Sequence, residues 1–432
     1  MAAALELAEN GSQVELFEQK RRLGGRVGSF RDSKTGELVD YCMHVSMGCC
    51  TSFLDFIQRT GVEDCFARHR RLAFIGPDGE VCPFDSWRWL PAPLHLLPGF
   101  ARLRYLTYRE RLSVGRCLLR MGRLGPDDWR DKTAGQWLHE QGQTPRTIDR
   151  FWSVVLVSAL GDTVDRVALS MARKVFVDGF MGSVDGYEVL LPTVPLGEIF
   201  DERVGRQLQE LGVTIRLGTS VQSIEMAAKR AESLVTTDGR QHGFDALVVA
   251  VPWTTIERLI APEQRGLLHA DWKVNQIESS AITAVHLWFD REIMELPHAA
   301  FVGRGIDWVF RQGRSKTDPR GCHYQIVISA SQRSGDLSKD ALLAHVLSDL
   351  RSVFPEARSA ELLHHRIITE PNAVFSVTPA CLRHRCESVT GVSNVFLAGD
   401  WTATGWPATM EGAIRSGYEA ARQVERASTG VK

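Results

Sequence analysis

Near its start, the chain has a short strand that ends on an acidic residue and runs directly into a glycine-rich turn. Residues 1–11 are typical of a helix, residues 14–18 (VELFE) predict a strand, and the turn LGGRVGSF follows. In a dinucleotide-binding α/β fold, the acid that closes the second strand accepts hydrogen bonds from ribose hydroxyl groups. We therefore predict that Glu18 binds a ribose, with a surface acid after an ordinary strand as the alternative.

The turn that follows this strand carries two adjacent glycines and an arginine. Gly24 and Gly25 allow the backbone to approach a pyrophosphate closely, and the Arg26 guanidinium can meet a phosphate or a neighbouring carbonyl. An ordinary turn is the alternative. The position directly after the predicted strand favours the phosphate-binding role.

The glycine fingerprint of a dinucleotide fold lies about 20 residues before the ribose-binding acid, which here is at or before residue 1. The pattern therefore predicts a βαβ unit that lacks its first strand and glycine loop. Two interpretations stay open: the true chain begins upstream, or this chain holds a dinucleotide weakly. We favour the first because the other expected positions are filled.

A second polar site is predicted near the C-terminus. The buried strand NVFL leads into Ala398-Gly399-Asp400, and a helix begins at about Met410. An acid at the end of a buried strand can bind a sugar hydroxyl. The N-terminus of the following helix offers free N–H groups and a positive dipole to an anion.

The order of these patterns predicts an α/β fold of two interleaved domains, within the two or three that 432 residues suggest. A Rossmann-like domain is assembled from residues 1–50, 190–265 and 385–432. An α+β substrate domain is formed by residues 51–189 and 266–384.

Composition excludes several classes of function. The 51 basic and 52 acidic residues nearly cancel, which argues against a nucleic-acid partner. The nine cysteines form no CxxC pair, so we expect no metal site, and their odd number favours a reducing compartment.

Glu6 and Glu9 interrupt the first apolar stretch, so no signal peptide is predicted. Because residues 151–161 are too few to span a bilayer, we expect a cytoplasmic protein.

Together these motifs resemble the flavin-containing amine oxidase and carotenoid desaturase superfamily, whose members bind FAD. The resemblance covers nearly the whole chain and is most specific in residues 14–30 and 395–422. It implies that Glu18 binds the ribose and that the glycine turn lies near the pyrophosphate. It also implies that the backbone of the segment GTSVQSI contacts the adenine. It also implies ribityl and flavin-ring contacts near the C-terminus. The cofactor-binding residues implied in this way are Glu18, Gly24, Gly25, Arg26, Val221, Gly399, Asp400 and Met410.

Within that superfamily the chain is most similar to the hydroxysqualene dehydroxylase family. The similarity rests on HVSMGCC at 44–50, FWSVVLVSALG at 151–161, LLPTVPLGEIF at 190–200 and the tail GDWTATGWPATMEGAIRSG. It implies removal of the hydroxyl group of hydroxysqualene to give squalene, a precursor of hopanoids and sterols. The run Asp40-Tyr41-Cys42-Met43-His44 departs from the family pattern, and no second nucleotide fingerprint identifies an electron donor.

Other functions stay open at this point. A carotenoid or phytoene desaturase fits an apolar isoprenoid equally well, and a degenerate FAD-fold binding protein is the non-enzymatic alternative. A flavin amine oxidase is less favoured, because Thr409 occupies the position expected for an aromatic ring of the amine cage. Trp401 and Trp406 either face a substrate or fill the core.

His44 is the candidate catalytic residue. It could donate a proton to a departing hydroxyl group, because imidazole titrates near neutral pH. A hydrogen-bonded core histidine is the alternative.

Residues 87–108 combine aromatic and leucine side chains with arginines and prolines. Such a composition predicts a broken, loop-like peripheral contact with the inner face of a membrane. Ordinary core packing of the same residues is the alternative.

Overall fold

The computed structural model describes residues 1–129, 131–227, 229–314, 321–335 and 337–429. The strands are β1 (Glu15–Glu18), β2 (Ser29–Arg31), β3 (Leu38–Asp40), β4 (Ser46–Met47), β5 (Phe66–His69), β6 (Leu72–Ile75), β7 (Val81–Phe84), β8 (Val189–Pro192), β9 (Thr214–Leu217), β10 (Val221–Ala227), β11 (Arg230–Thr236), β12 (Gln241–Gly243), β13 (Leu247–Val249), β14 (Ser279–Phe289), β15 (His298–Phe301), β16 (Trp308–Arg314), β17 (Cys322–Ser329), β18 (Leu362–Phe375) and β19 (Val395–Leu397).

The α-helices are α1 (Ala2–Glu9), α2 (Thr51–Arg59), α3 (Leu97–Ala101), α4 (Tyr108–Met121), α5 (Pro126–Trp129), α6 (Ala134–Glu140), α7 (Pro145–Thr147), α8 (Val154–Leu160), α9 (Leu169–Arg173), α10 (Val204–Glu210), α11 (Trp253–Ile256), α12 (Arg265–Leu268), α13 (Lys339–Val353), α14 (Pro355–Ser359), α15 (Pro379–Arg383) and α16 (Met410–Thr429). Within the described residues, no helix has the length and apolar character needed to cross a membrane.

The predicted Rossmann-like part contains two parallel strand pairs. β1 pairs with β9, and β13 pairs with β19, so strands far apart in sequence lie side by side. Among the described residues, no strand joins these two pairs into one sheet. α1 and α16 pack together, and a side chain at Gly417 would come within 2.9 Å of Ala2. The α/β fold with a Rossmann-like unit is confirmed, and the parallel part of the sheet is split.

The other large element is a seven-stranded sheet with the order β18-β14-β17-β16-β15-β6-β7. All neighbours are antiparallel except β15 and β6. One face carries Val285, Leu287 and Phe289, which share a buried cluster with Val346 and Leu350 of α13. The opposite face is directed at the rest of the molecule and supplies part of the largest buried cluster.

The described residues show how the predicted domains interleave. The seven-stranded sheet draws its central strands from the predicted substrate segment 266–384. α2 follows residue 50, but its buried side chains Phe53 and Phe56 share a cluster with Leu5 and Tyr418 of the nucleotide-binding part. The domain boundaries stay a prediction, and this packing favours moving the first one beyond α2.

Candidate active site

Glu18 lies at the carboxyl end of β1, as the sequence predicts. Its carboxylate accepts a hydrogen bond of 2.8 Å from the backbone N–H of Lys20, and its carbonyl accepts one of 2.9 Å from Thr219. The loop at Gly218 and Thr219 therefore runs beside Glu18 and leads into Val221, the first residue of β10. The structure brings Glu18 and Val221 into one neighbourhood.

The glycine turn has a conformation that requires glycine at its first position. Gly24 has φ +93°, and a Cβ there would lie 2.2 Å from the Val27 carbonyl oxygen. Gly25 has φ +60°, with nothing within 4 Å of an added Cβ. The Arg22 guanidinium donates to the Gly25 carbonyl at 3.0 Å. The turn is therefore closely folded at Gly24 and open at Gly25.

Arg26 and Asp400, which are far apart in sequence, meet in an ion pair. The Arg26 Nη2 lies 2.6 Å from Asp400 Oδ1, and Asp400 is buried. Arg26 also donates to the Ala373 carbonyl at 2.7 Å, and its guanidinium lies 5.3 Å from the centre of the Trp253 ring. Arg26 thus connects the glycine turn, the end of β19 and the end of β18.

The loop after β19 is held by a buried arginine that the sequence analysis missed. Arg385 donates 3.2 Å hydrogen bonds to the carbonyls of Asp400 and Trp401, and burial lowers the pKa of its guanidinium to about 10. Gly399 has φ +131°, and its N–H donates to Ser416 on α16 at 2.7 Å. These bonds fix Asp400 at the edge where β19 ends.

The start of α16 is capped by Thr409, and Glu411 in its first turn caps the neighbouring α2. Thr409 accepts a 3.1 Å hydrogen bond from the Gly412 N–H. Met410 is the first helical residue, and the buried Glu411 accepts a 2.8 Å bond from the Phe53 N–H at the start of α2. Thr409 therefore serves as a cap at the position where an amine cage would need an aromatic ring.

The two tryptophans of the C-terminal loop make contacts with other residues of the chain. Trp401 is fully buried and donates to the Val251 carbonyl at 2.9 Å, so it fills the core. Trp406 has the Lys174 ammonium 5.2 Å and the Arg415 guanidinium 5.0 Å from its ring centre. Neither ring is presented as the wall of an amine cage.

His44 lies close to the glycine turn. Its Nδ1 is 2.9 Å from the Cys42 carbonyl, which assigns the proton to Nδ1 and leaves Nε2 as an acceptor. Burial lowers the pKa of His44, the Cys42 hydrogen bond opposes this, and the positive charge of Arg26 lowers it further. At neutral pH the ring is neutral and matches the hydrogen-bonded alternative, so proton donation requires more acidic conditions.

Asp40 is a buried carboxyl group to which the sequence analysis assigned no role. Its Oδ1 accepts hydrogen bonds from the Ser29 hydroxyl at 2.6 Å and the Leu196 N–H at 2.8 Å. Burial raises the pKa of Asp40 to about 6, and the negative charge of Glu198 contributes to the increase. Asp40 clamps the β2–β3 hairpin, which carries the chain toward His44. The sequence signal that could have identified Asp40 is its place at the end of a short apolar strand.

A histidine cluster lies where the seven-stranded sheet meets the β2–β3 hairpin. Nitrogens of His286 and His323 are 3.1 Å apart, and Gln325 Nε2 lies 3.1 Å from His286 and 3.5 Å from the Asp40 carbonyl. Trp288 stacks on His323 at 4.2 Å. Burial lowers the pKa of His286 to about 4 and that of His323 well below its usual value, so both rings are neutral. Alternation along β14 and β17 could have placed these residues on one face of the sheet, but the sequence does not show their contact with Asp40.

Next to His44, the side chain of Met43 belongs to the largest buried apolar cluster of the molecule. Phe100, Phe151, Phe176 and Phe180 form successive ring contacts of 5.7, 5.8 and 6.3 Å. They pack with one buried cluster that also contains Met43, Trp401 and Phe310. This side of the candidate site is therefore apolar.

The 87–108 segment divides between core and surface. The exposed large side chains are Trp87, Trp89, Leu94, Leu97 and Tyr108, and Trp89 is 75% exposed. The side chains that pack into the core are Leu96, Phe100 and Tyr105. Core packing therefore accounts for one set of these residues, and for the exposed set the membrane contact stays a prediction.

The predicted residues form a set that fits a flavin dinucleotide. Glu18 and Asp400 follow the carboxyl ends of parallel strands, the edge where open α/β sheets bind nucleotides. The tight turn at Gly24 brings backbone to the same region, and Arg26 supplies a cation within reach of Asp400. The set thus combines two carboxylates, which can accept hydrogen bonds from hydroxyl groups, with the Arg26 guanidinium, which can bind a phosphate.

Comparisons with known proteins identify the family of the chain. A family model described as "Flavin containing amine oxidoreductase" matches residues 1–425. The hydroxysqualene dehydroxylase of Sinorhizobium fredii is 25% identical over 423 residues, which cover 98% of this chain and 94% of that protein. The 15-cis-phytoene desaturase of Synechococcus elongatus is 23% identical over 450 residues, covering 98% and 93%.

Solved structures share the fold over nearly the whole chain. Cyclohexylamine oxidase from Brevibacterium oxydans superposes with a TM-score of 0.70 at 18% identity, covering 100% of this chain and 97% of that one. An oxidoreductase from Methanosarcina mazei gives a TM-score of 0.70 at 16% identity, covering 96% of both chains. At these identities the likeness shows the fold.

Proposed function

This chain belongs to the flavin-containing amine oxidoreductase family and is an FAD-dependent oxidoreductase, and on this premise we propose that it converts hydroxysqualene to squalene. The observation that carries the proposal is the apolar wall of the site, meaning the large buried cluster that includes Met43, the neighbour of His44, together with aromatic side chains. Such a wall suits an isoprenoid hydrocarbon. Hydroxysqualene dehydroxylases matched over 94–95% of their own length support the same substrate class.

We propose that the cofactor lies along the edge where β1 and β19 end. Glu18 would accept hydrogen bonds from the adenosine ribose, and the Val221 backbone would contact the adenine. The turn at Gly24 and Gly25 would approach the pyrophosphate together with Arg26. The ribityl chain and the flavin ring would meet a second group of residues, namely Gly399, Asp400 and Met410.

A matched pair of variants tests the ribose contact. Glu18 and Glu15 are the last and first residues of β1, and Glu15 pairs with Arg216 on the surface. E18Q is expected to weaken FAD binding by about 1–3 kcal/mol, because a ribose hydroxyl loses its charged acceptor. E15Q is the control and should bind FAD as the parent does. Equal affinities of all three proteins, measured by flavin fluorescence titration, would contradict the ribose assignment.

Asp400 allows a second test at the other end of the cofactor. D400A removes both the proposed ribityl acceptor and the partner of Arg26, so we expect FAD affinity to fall by about 1–3 kcal/mol. Retained affinity in D400A, with the fold intact by circular dichroism, would exclude Asp400 as a contact.

The proposed reaction begins with an allylic alcohol. Protonation of its hydroxyl releases water and leaves a delocalised allylic cation in the substrate. When bound, reduced FAD supplies the hydride that replaces the lost group. The apolar wall keeps bulk water from the cation, and the protein must supply one proton donor.

We propose His44 as that donor, supported by its position beside Arg26. Because burial lowers the pKa of His44, the protonated form is populated toward acidic pH and is lost as pH rises. The single-turnover rate should therefore fall from pH 5 to pH 8 in the parent, and H44A should be slow and nearly independent of pH. A wild-type rate and profile in H44A would leave His44 with only its hydrogen-bonding role.

Anaerobic single turnover tests the proposed function as a whole. The flavin of the purified protein is reduced, hydroxysqualene is added, and the product is identified by mass spectrometry. Squalene formed in proportion to flavin reoxidation is the expected result. In a parallel assay that starts from the oxidised flavin, reduction by phytoene, with no squalene formed from hydroxysqualene, would establish a desaturase, and reduction by amines would establish an amine oxidase.

We also propose a cytoplasmic protein that contacts the inner face of a membrane through residues 87–108. The five exposed large side chains of this segment support the contact, and Trp87 and Trp89 stack with their ring centres 5.4 Å apart. Replacement of Trp87, Trp89, Leu94 and Leu97 with serine should release a folded protein from vesicles. A variant that floats with vesicles as well as the parent would contradict this contact.

A further inference from the structure

α4 has one buried face and one outward face. Its N-terminus is fixed by a capping box between Thr107 and Glu110, so the helix has a defined start. Val114, Cys117 and Met121 are buried and attach the helix to the core. The opposite face is therefore held toward solvent by a rigid element.

That outward face carries an apolar stripe. Tyr108 is 70% exposed, Leu112 41% and Leu119 59%. At about 100° per residue, positions i, i+4 and i+11 fall within roughly 40° of one another on the helix surface. Three large apolar side chains thus form one line on the outside of α4.

Arginines flank this line on one side. Arg109, Arg116, Arg120 and Arg123 are exposed, and in the described part of the chain Arg109, Arg116 and Arg123 have no carboxylate partner. Residues 87–125 contain eight arginines and a single acid, Glu110, although the whole chain carries a formal charge of −1. Glu110 is already used by the capping box and by Arg146. Arg88, Arg102 and Arg104 pair with acids outside this segment, so among the described residues the unpaired positive charge is concentrated on the α4 side, at Arg109, Arg116 and Arg123.

The stripe is connected to the exposed 87–97 loop. The Arg111 side chain donates a hydrogen bond to the Ala101 carbonyl at the end of α3, which ties the start of α4 to that helix. α3 begins with the exposed Leu97. The surface formed by the loop and α4 therefore combines apolar side chains with arginine charge across two neighbouring elements.

We propose that the outward face of α4 docks on an anionic lipid bilayer, with the helix lying in the plane of the membrane surface. Its exposed leucines would enter the headgroup boundary while the arginines meet anionic headgroups. A second copy of this chain is disfavoured, because two such cationic faces would repel each other. The inference rests on the proposed function only in that an isoprenoid substrate must be collected from a bilayer.

The test uses the full-length, FAD-loaded protein and sedimentation with vesicles. Vesicles of phosphatidylcholine with 30 mol% phosphatidylglycerol are compared with pure phosphatidylcholine at about 0.1 M and 0.5 M salt. The parent should bind the anionic vesicles, and high salt should weaken binding. R109Q/R116Q/R123Q should lower partitioning about 100-fold, since each arginine near an anionic surface contributes a factor of about five.

L112S/L119S tests the apolar stripe and should lower partitioning at least about 10-fold. The matched control is L217S/L267S, which removes two leucines of 41% exposure in other parts of the molecule and should leave partitioning unchanged. Thermal unfolding of all variants checks that the fold is retained. Unchanged vesicle binding by the arginine and leucine variants of α4 would overturn the proposal.

Two further measurements separate the outcomes. If sedimentation without vesicles shows a dimer that L112S/L119S dissociates, the face is an interface between copies and the proposal is wrong. Single turnover in detergent solution should be the same in the α4 variants and the parent. Loss of vesicle binding with turnover retained supports the docking surface. A parent that binds vesicles without forming squalene refutes only the proposed reaction.

Discussion

Replacement of Asp40 by asparagine tests the buried clamp that holds the β2–β3 hairpin. The Asp40 Oδ1 accepts two hydrogen bonds, from the Ser29 hydroxyl and the Leu196 N–H. An asparagine keeps an oxygen acceptor at this position and cannot ionise. D40N therefore separates the cost of a buried charge from the value of the hydrogen bonds.

The size of the effect follows from the pKa of Asp40, which is about 6 in the folded protein against 3.8 for an ordinary aspartate. Because the folded state binds the proton more tightly, this group stabilises the protein most below pH 3.8 and loses that contribution as pH rises through 6. Between pH 5 and pH 7 the free energy of unfolding of the parent should fall by about 1.4 kcal/mol relative to D40N.

The assay is urea unfolding of the parent and D40N at pH 5, 6 and 7, followed by circular dichroism. D78N, at an exposed aspartate, is the control, and its difference from the parent should stay constant within about 0.5 kcal/mol. A parent-minus-D40N difference that does not change with pH would refute the reasoning, because Asp40 would then titrate as an ordinary carboxyl group.

Four further substitutions probe other parts of the structure. G24A should destabilise the protein by about 2 kcal/mol or more, because φ is +93° and the new Cβ clashes with the Val27 carbonyl oxygen. G25A should destabilise it by about 1 kcal/mol, and urea unfolding compares the two variants. H298L should leave the melting temperature unchanged or raise it, because both ring nitrogens of this buried histidine lack a hydrogen-bond partner among the described residues. E188Q should cost about 1–3 kcal/mol in urea unfolding, because fully buried Glu188 is the shared partner of three arginines; an unchanged stability would show that these ion pairs contribute nothing.

The sequence by itself determined the local parts of the candidate site. A strand ending on Glu18, a glycine turn containing Gly24, and a strand–loop–helix around Asp400 each follow from short-range patterns, and the structure has all three. These features depend on backbone conformations that neighbouring residues set, such as the positive φ of Gly24. The family match adds the cofactor and the reaction class to these local predictions.

Only the tertiary structure decided which residues meet. The Arg26–Asp400 pair joins two distant parts of the chain. The pKa of Asp40 is raised because the tertiary fold buries its carboxyl group, and the hydrogen bond from the distant Leu196 N–H opposes that increase. Likewise, a helical pattern gives α4 two faces but does not say which one the core covers. Contacts and burial between distant segments depend on how whole elements pack, and short-range sequence patterns do not contain that information.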